Sequence, residues 1–78
     1  PIFADDRVAA FMRTSNQGNA FVIFNTGENR SIKFSIPDFV LDKSLVMQCK
    51  YGGNTPLHLN KKEMDFYIGS RNAYIFIG

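Results

Sequence analysis

Glu63 and Asp65 are the residues whose spacing first suggests chemistry. Two positions apart on a strand they share a face about 7 Å from one another, within the roughly 5 to 10 Å that a pair of glycosidase carboxylates spans across a sugar. The alternating Met64, Phe66 and Ile68 take the opposite, inward face. That leaves both carboxylates on a convex outer surface with no sequence sign of a pocket, and they read as solvated charges. Asp5 and Asp6 are adjacent, so on a strand they point to opposite faces. His58 is the only histidine and Cys49 the only cysteine. A metal site needs three or four ligands, and a His–Cys nucleophile pair needs an orienting motif that is not present. The sequence therefore predicts no catalytic, metal-ligating or cofactor-binding residue in this chain.

Other local patterns carry little chemistry. Tyr51-Gly52-Gly53 lacks the spacing of a phosphate-binding loop and has no helix after it, so it reads as a turn. Asn29-Arg30-Ser31 fits a glycosylation sequon, a tripeptide that chance supplies often. Among the aromatics, Phe39, Tyr51 and Tyr67 fall at positions that can be exposed. Tyr51 and Tyr67 are the candidate sugar contacts, since a ring on a β surface can stack on a pyranose; most of the remaining aromatics fall on faces that read as core.

The elements that must position these residues are strands. Ala20-Phe21-Val22-Ile23-Phe24-Asn25 is apolar on both alternating faces until Asn25, and Ala73-Tyr74-Ile75-Phe76-Ile77 repeats that character. A half-solvated strand alternates polar with apolar, so a run apolar on both sides predicts cover above and below. Ser31-Ile32-Lys33-Phe34-Ser35-Ile36 alternates, with Ile32, Phe34 and Ile36 inward, and Pro37 ends it. Residues 38–44 suit one helical turn that drops Phe39 or Leu41 over an open end of the core. Leu45, Met47 and Cys49 point inward from the next strand, Leu57-His58-Leu59 forms a short one, and residues 63–68 form another. Residues 5–13 are ambiguous: alanines after an Asp pair suit a short capped helix, whereas a polar turn at 14–19 leading into the next strand suits a hairpin. The hairpin satisfies the neighbouring backbone most directly, and strand is the reading adopted. About seven short strands with frequent turns predict an all-β antiparallel sandwich, Greek-key-like.

Seventy-eight residues hold one domain, 1–78. A domain of this size buries roughly 60% of the surface its unfolded chain exposes, enough to cover one face of a sheet. The second face must find cover in a neighbour. Nine basic residues against seven acidic give a net charge of +2 and are scattered, which excludes the basic stripe of a nucleic-acid binder. No apolar run approaches the ~18 residues of a membrane span, and a lone thiol leaves the compartment open. A chain that starts at Pro1 and stops at Gly78, one residue past a strand, reads as an excised piece.

The order Asp6-Arg7-Val8-Ala9-Ala10-Phe11-Met12-Arg13, then Asn19-Ala20-Phe21-Val22-Ile23-Phe24-Asn25, then a turn and an alternating strand, resembles the C-terminal β domain of α-amylase-family glycoside hydrolases. The neopullulanase, cyclomaltodextrinase and maltogenic-amylase group is the nearest. There a strand of the type V-x-A-F-x-R precedes one of the type V-V-x-N, whose asparagine opens a turn. Lys50-Tyr51-Gly52-Gly53 is similar to the family's glycine-bearing loop, and residues 70–77 to its closing strand. The resemblance implies a domain that is not itself an enzyme, packed on a catalytic (β/α)8 barrel of the same parent chain, with α-glucan as a possible further partner. Phe11, Phe21, Ile23, Ile75 and Ile77 are the candidate interface residues. Two rival readings are an autonomous carbohydrate-binding module, through Tyr51 or Tyr67, and an oligonucleotide-binding barrel.

Overall fold

The computed structural model describes residues 2–78, and among these the chain is an all-β antiparallel sandwich. Its strands are β1 (Phe3–Ala4), β2 (Val8–Ser15), β3 (Gly18–Asn25), β4 (Arg30–Ser35), β5 (Val46–Tyr51), β6 (Leu57–His58), β7 (Glu63–Ile68) and β8 (Asn72–Ile77), with one helical turn, α1 (Asp38–Leu41). Six strands form one sheet in the order β1-β2-β3-β8-β5-β6, and β4 pairs β7 in a second layer. The chain changes sheets after β3, after β4, after β6 and after β7, which gives the crossed, Greek-key-like connectivity.

The ambiguous segment at 5–13 resolves as strand. β2 pairs β3 over its whole length, from Val8 opposite Asn25 to Ser15 opposite Gly18. Alanine's helix propensity is worth tenths of a kcal/mol per residue, and a full-length hairpin ladder outweighs it. The turn is tighter than the sequence predicts. The Ser15 hydroxyl donates to the Gly18 carbonyl (3.1 Å) and accepts from the Gln17 N–H (3.1 Å), so the strands run almost to the tip.

The core lies between the layers. Val8, Ala10, Phe21, Ile23, Met47 and Phe76 come from the large sheet, and Ile32, Phe34 and Ile68 from the small one. Phe21 meets Phe34 across the gap at a ring-centroid distance of 5.4 Å, and Phe66 meets Phe76 edge-on at 5.8 Å. The helical turn does close one end, but Val40 is the residue it buries. Phe39 is exposed and Leu41 only half-buried, because a single turn aims one side chain squarely at the core.

At the end of β5 the register shifts between Cys49 and Tyr51, and the chain peels away from β8. Gly52 makes this possible. Its φ is +93°, and a Cβ there would stand 1.9 Å from the Ala73 carbonyl oxygen. The backbone of the loop therefore lies directly on β8, at a distance only glycine permits. Gly52→Ala is expected to cost about 3 kcal/mol or more of stability, measured as a lower urea midpoint; a midpoint equal to that of the unaltered chain would show that the loop reaches β8 in some other way.

Candidate functional site

Antiparallel register sorts the side chains of the large sheet onto two faces. On the inner face Phe21 and Ile23 are fully buried, each at 0% exposure. Both therefore belong to the domain's own core and are unavailable to a neighbour, which corrects the expectation that they lie at an interface. The physical reason is Asn25, which shares their face. It is buried because its amide donates to the carbonyls of Glu28 (2.7 Å) and Gly69 (3.0 Å), while its oxygen accepts from the Gly27 N–H (2.9 Å). With Asn25 turned inward, strand alternation turns Phe21 and Ile23 inward with it.

The outer face carries the other three candidates. Phe11 is opposite Val22, Val22 is opposite Ile75, and Ile75 is opposite Tyr51, so one apolar row crosses β2, β3, β8 and β5 without a polar break. Ile77 lies in the next row, between Ala20 and Gln48. Phe24 flanks the first row and stacks on Phe11 at 6.1 Å. Phe11 is 44% exposed, Phe24 40% and Ile77 42%, and nothing in the described chain covers them. Phe24, exposed, and Val22, half-buried, share this face and are not among the residues that the sequence singles out. No spacing in the sequence finds them, because the buried Asn25, held by its tertiary hydrogen bonds, sets which alternate residues of β3 face outward.

The two candidate sugar contacts are both exposed but do not meet. Tyr51 lies on the outer face of the large sheet, over a shallow depression shared with Phe24, Arg71 and Asn72. Tyr67 lies on β7 in the other layer, where its hydroxyl accepts from the Asn29 amide. Tyr67 rims a cleft of about 400 Å³ between β7 and the 52–56 loop, with Phe66, Tyr74 and Phe76 within it. No single platform presents both rings.

Glu63 and Asp65 are exposed on β7 as the alternation predicts. The Ser35 hydroxyl donates to Glu63 (2.8 Å), and Lys33 stands 3.8 Å from Asp65. Only Asp65 reaches the cleft rim, so the two carboxylates do not face one enclosed site. His58 approaches the Ser44 hydroxyl at 3.2 Å, whereas the Cys49 thiol donates to the Tyr51 carbonyl at 3.3 Å. Among the described residues no three His, Cys, Asp or Glu side chains converge in a way that could hold a metal ion, and no helix is long and apolar enough to cross a membrane.

Asp5 is the one carboxylate whose surroundings clearly perturb it. The N–H groups of Arg7 (2.9 Å) and Val8 (2.8 Å) donate to one oxygen, and the Arg30 guanidinium holds the other at 2.8 Å. The Arg7 and Val8 hydrogen bonds first, and Arg30 after them, hold the carboxyl below its ordinary value, against a smaller opposing effect of desolvation. This cluster sets the β1–β2 turn and ties it to the start of β4. No family model, curated protein or solved structure matches the chain.

Because the folded-state value for Asp5 lies below the unfolded one, its contribution is present at neutral pH and fades as pH falls through the range below about 4. Asp5→Asn is expected to flatten the fall in unfolding midpoint between about pH 5 and pH 2.5. Parallel acid profiles for the two proteins would refute the assignment.

Proposed function

We propose that the chain is a non-catalytic accessory domain that packs the outer face of its six-stranded sheet against the catalytic barrel of an α-glucan-acting glycoside hydrolase. The supporting observation is the row Phe11, Val22, Ile75 and Tyr51, which runs unbroken across four strands and which the described residues leave exposed at Phe11, Ile75 and Tyr51, with Val22 half-buried between them. Contiguous exposed apolar surface on a small domain marks a contact with something larger. The resemblance to the C-terminal β domain of the α-amylase family names that larger body as a (β/α)8 barrel. Asn25 agrees with it in role as well as type, since it opens the turn after β3.

An oligonucleotide-binding barrel is less well supported. Such a fold curls its strands into one largely closed barrel, whereas the β4–β7 pair shares no ladder with the larger sheet. The apolar row also lacks the lysines and arginines that track a nucleic-acid backbone.

The double change Phe11→Ser with Ile75→Ser tests the proposal. In the isolated chain it is expected to shift stability by no more than about 1 kcal/mol, as surface changes do. In the polypeptide that carries the barrel it lowers the unfolding midpoint. A loss in the isolated chain as large as that from Phe21→Ser would make this face part of the domain's own core. A coding region upstream of Pro1 that does not encode alternating strands and helices on a barrel scale would end the family reading.

A further inference from the structure

The small layer has two strands, and its two edges are not alike. β4 lies over β3, where Phe34 meets Phe21, and β7 lies over β8, where Phe66 meets Phe76. Past β8 the large sheet continues through β5 and β6, so it overhangs the β7 edge by two strands, about 10 Å. The inner residues Ile32 and Phe34 of β4 are each 3% exposed, whereas Met64 and Phe66 of β7 are only half-buried. Tyr74 of β8 and Cys49 of β5, which share that inner side, are half-buried too. Inner side chains left part-covered along one edge mark the place where a further strand would lie. The backbone of β7 is open at the same edge. The Ile36 N–H donates to the Lys62 carbonyl (2.8 Å) at the end of the β4–β7 ladder, and hydrogen-bonded pairs alternate along such a ladder. The N–H and C=O groups of Met64, Phe66 and Ile68 therefore turn to β4. Those of Glu63, Asp65 and Tyr67 turn away from it, where no described residue pairs with them.

We propose that an extended segment of a partner polypeptide adds antiparallel to the free edge of β7 as a third strand of the small layer, with lysine or arginine opposite Glu63 and Asp65 and apolar residues at the alternate positions. In strand addition the main-chain bonds supply affinity and the alternating side chains specificity. Directly opposed residues share a face, so those opposite Glu63 and Asp65 stand on the solvent side beside two carboxylates, where a base is favoured. Lys33 and Ser35 approach the same carboxylates from the β4 side, away from this edge. The residues opposite Met64 and Phe66 point inward and complete their burial. A second copy of the chain fits poorly. β7 against β7 sets carboxylate beside carboxylate, and the edge of another folded sandwich would bring its own six-stranded sheet against the overhang. A single extended strand clears it. The inference does not depend on the barrel-packing role, because β7 belongs to the other layer from the Phe11–Ile75 face.

Amide hydrogen exchange on the isotope-labelled chain, alone and with a short blocked peptide alternating lysine with valine, tests the proposal. In the chain alone the Met64 and Phe66 amides are expected to be protected, and those of Asp65 and Tyr67 to exchange at least about tenfold faster. The peptide, saturating near about 1 mM, slows Asp65 and Tyr67 by about tenfold. The same peptide N-methylated at its lysines lacks the N–H groups that bond β7 and leaves their exchange unchanged. Glutamate in place of its lysines, or Asp65→Lys in the domain, weakens binding roughly fivefold. Gly53→Leu gives an independent arm. A Cβ there would meet the Tyr74 ring at 3.6 Å and the Cys49 Sγ at 3.7 Å, ordinary contacts on the inner side, so the added side chain fills the space beside β7 and abolishes binding. Protection of Asp65 and Tyr67 in the dilute chain alone, no slowing by the lysine peptide up to about 10 mM, or equal slowing by the N-methylated or the glutamate peptide would each overturn the assignment. Slowing that instead grows with the concentration of the chain itself, without peptide, would also overturn it and make a second copy the occupant.

Discussion

Phe21 stands opposite Phe76 in the middle of the β3–β8 ladder, ring centroids 6.0 Å apart, and both rings are buried under the second layer. β3 and β8 are distant in sequence, so their pairing closes the largest loop in the fold, and it brings the two strands that are apolar on both faces side by side. Their inner residues fill the sandwich. Their outer residues then have no choice but to lie together on the opposite surface, because alternation along a strand is fixed. The buried core and the bare apolar face are thus two consequences of one pairing.

What holds this pairing in register at one end is Asn25. Its side chain satisfies both amide hydrogens and its oxygen on backbone groups of two turns, β3–β4 and β7–β8. Arg71 supports the same junction with a backbone hydrogen bond to the Gly27 carbonyl, and the Tyr74 hydroxyl accepts from the Gly69 N–H. A buried amide with every group paired specifies geometry, since any slip would strand donors and acceptors that then lack water. Gly52 does comparable service at the far side of β8, where absence of a side chain lets the loop after β5 lie on the Ala73 carbonyl.

Much of this was legible in the residue order. Alternation at Ile32, Phe34 and Ile36, and at Met64, Phe66 and Ile68, correctly orients β4 and β7. Pro37 ends β4 and the glycine pair at 52–53 ends β5, each for a backbone reason that is local. The orientation of β3 was not legible, because Phe21, Ile23, Val22 and Phe24 are all apolar and periodicity cannot rank two greasy faces. Only the tertiary hydrogen bonds of Asn25 break that symmetry. The cleft was invisible for a similar reason: Tyr67 and the 52–56 loop are brought together by the order of strands between sheets, and no spacing in the sequence records that order.

The uneven layering is the remaining consequence. Along β3 and β8 the six-stranded sheet is apolar on both sides, and the two-stranded layer with its one helical turn covers only the inner one. A soluble sheet of this kind usually places charge on its free face, as β4 and β7 do with Lys33, Glu63 and Asp65. Along the row from Phe11 to Tyr51 the large sheet places none. The contrast lies within one small domain of one composition: the outer face of β4 and β7 carries charge, whereas on the large sheet the row from Phe11 to Tyr51 carries none and the next row, Arg13, Ala20, Ile77 and Gln48, returns to polar residues at both ends.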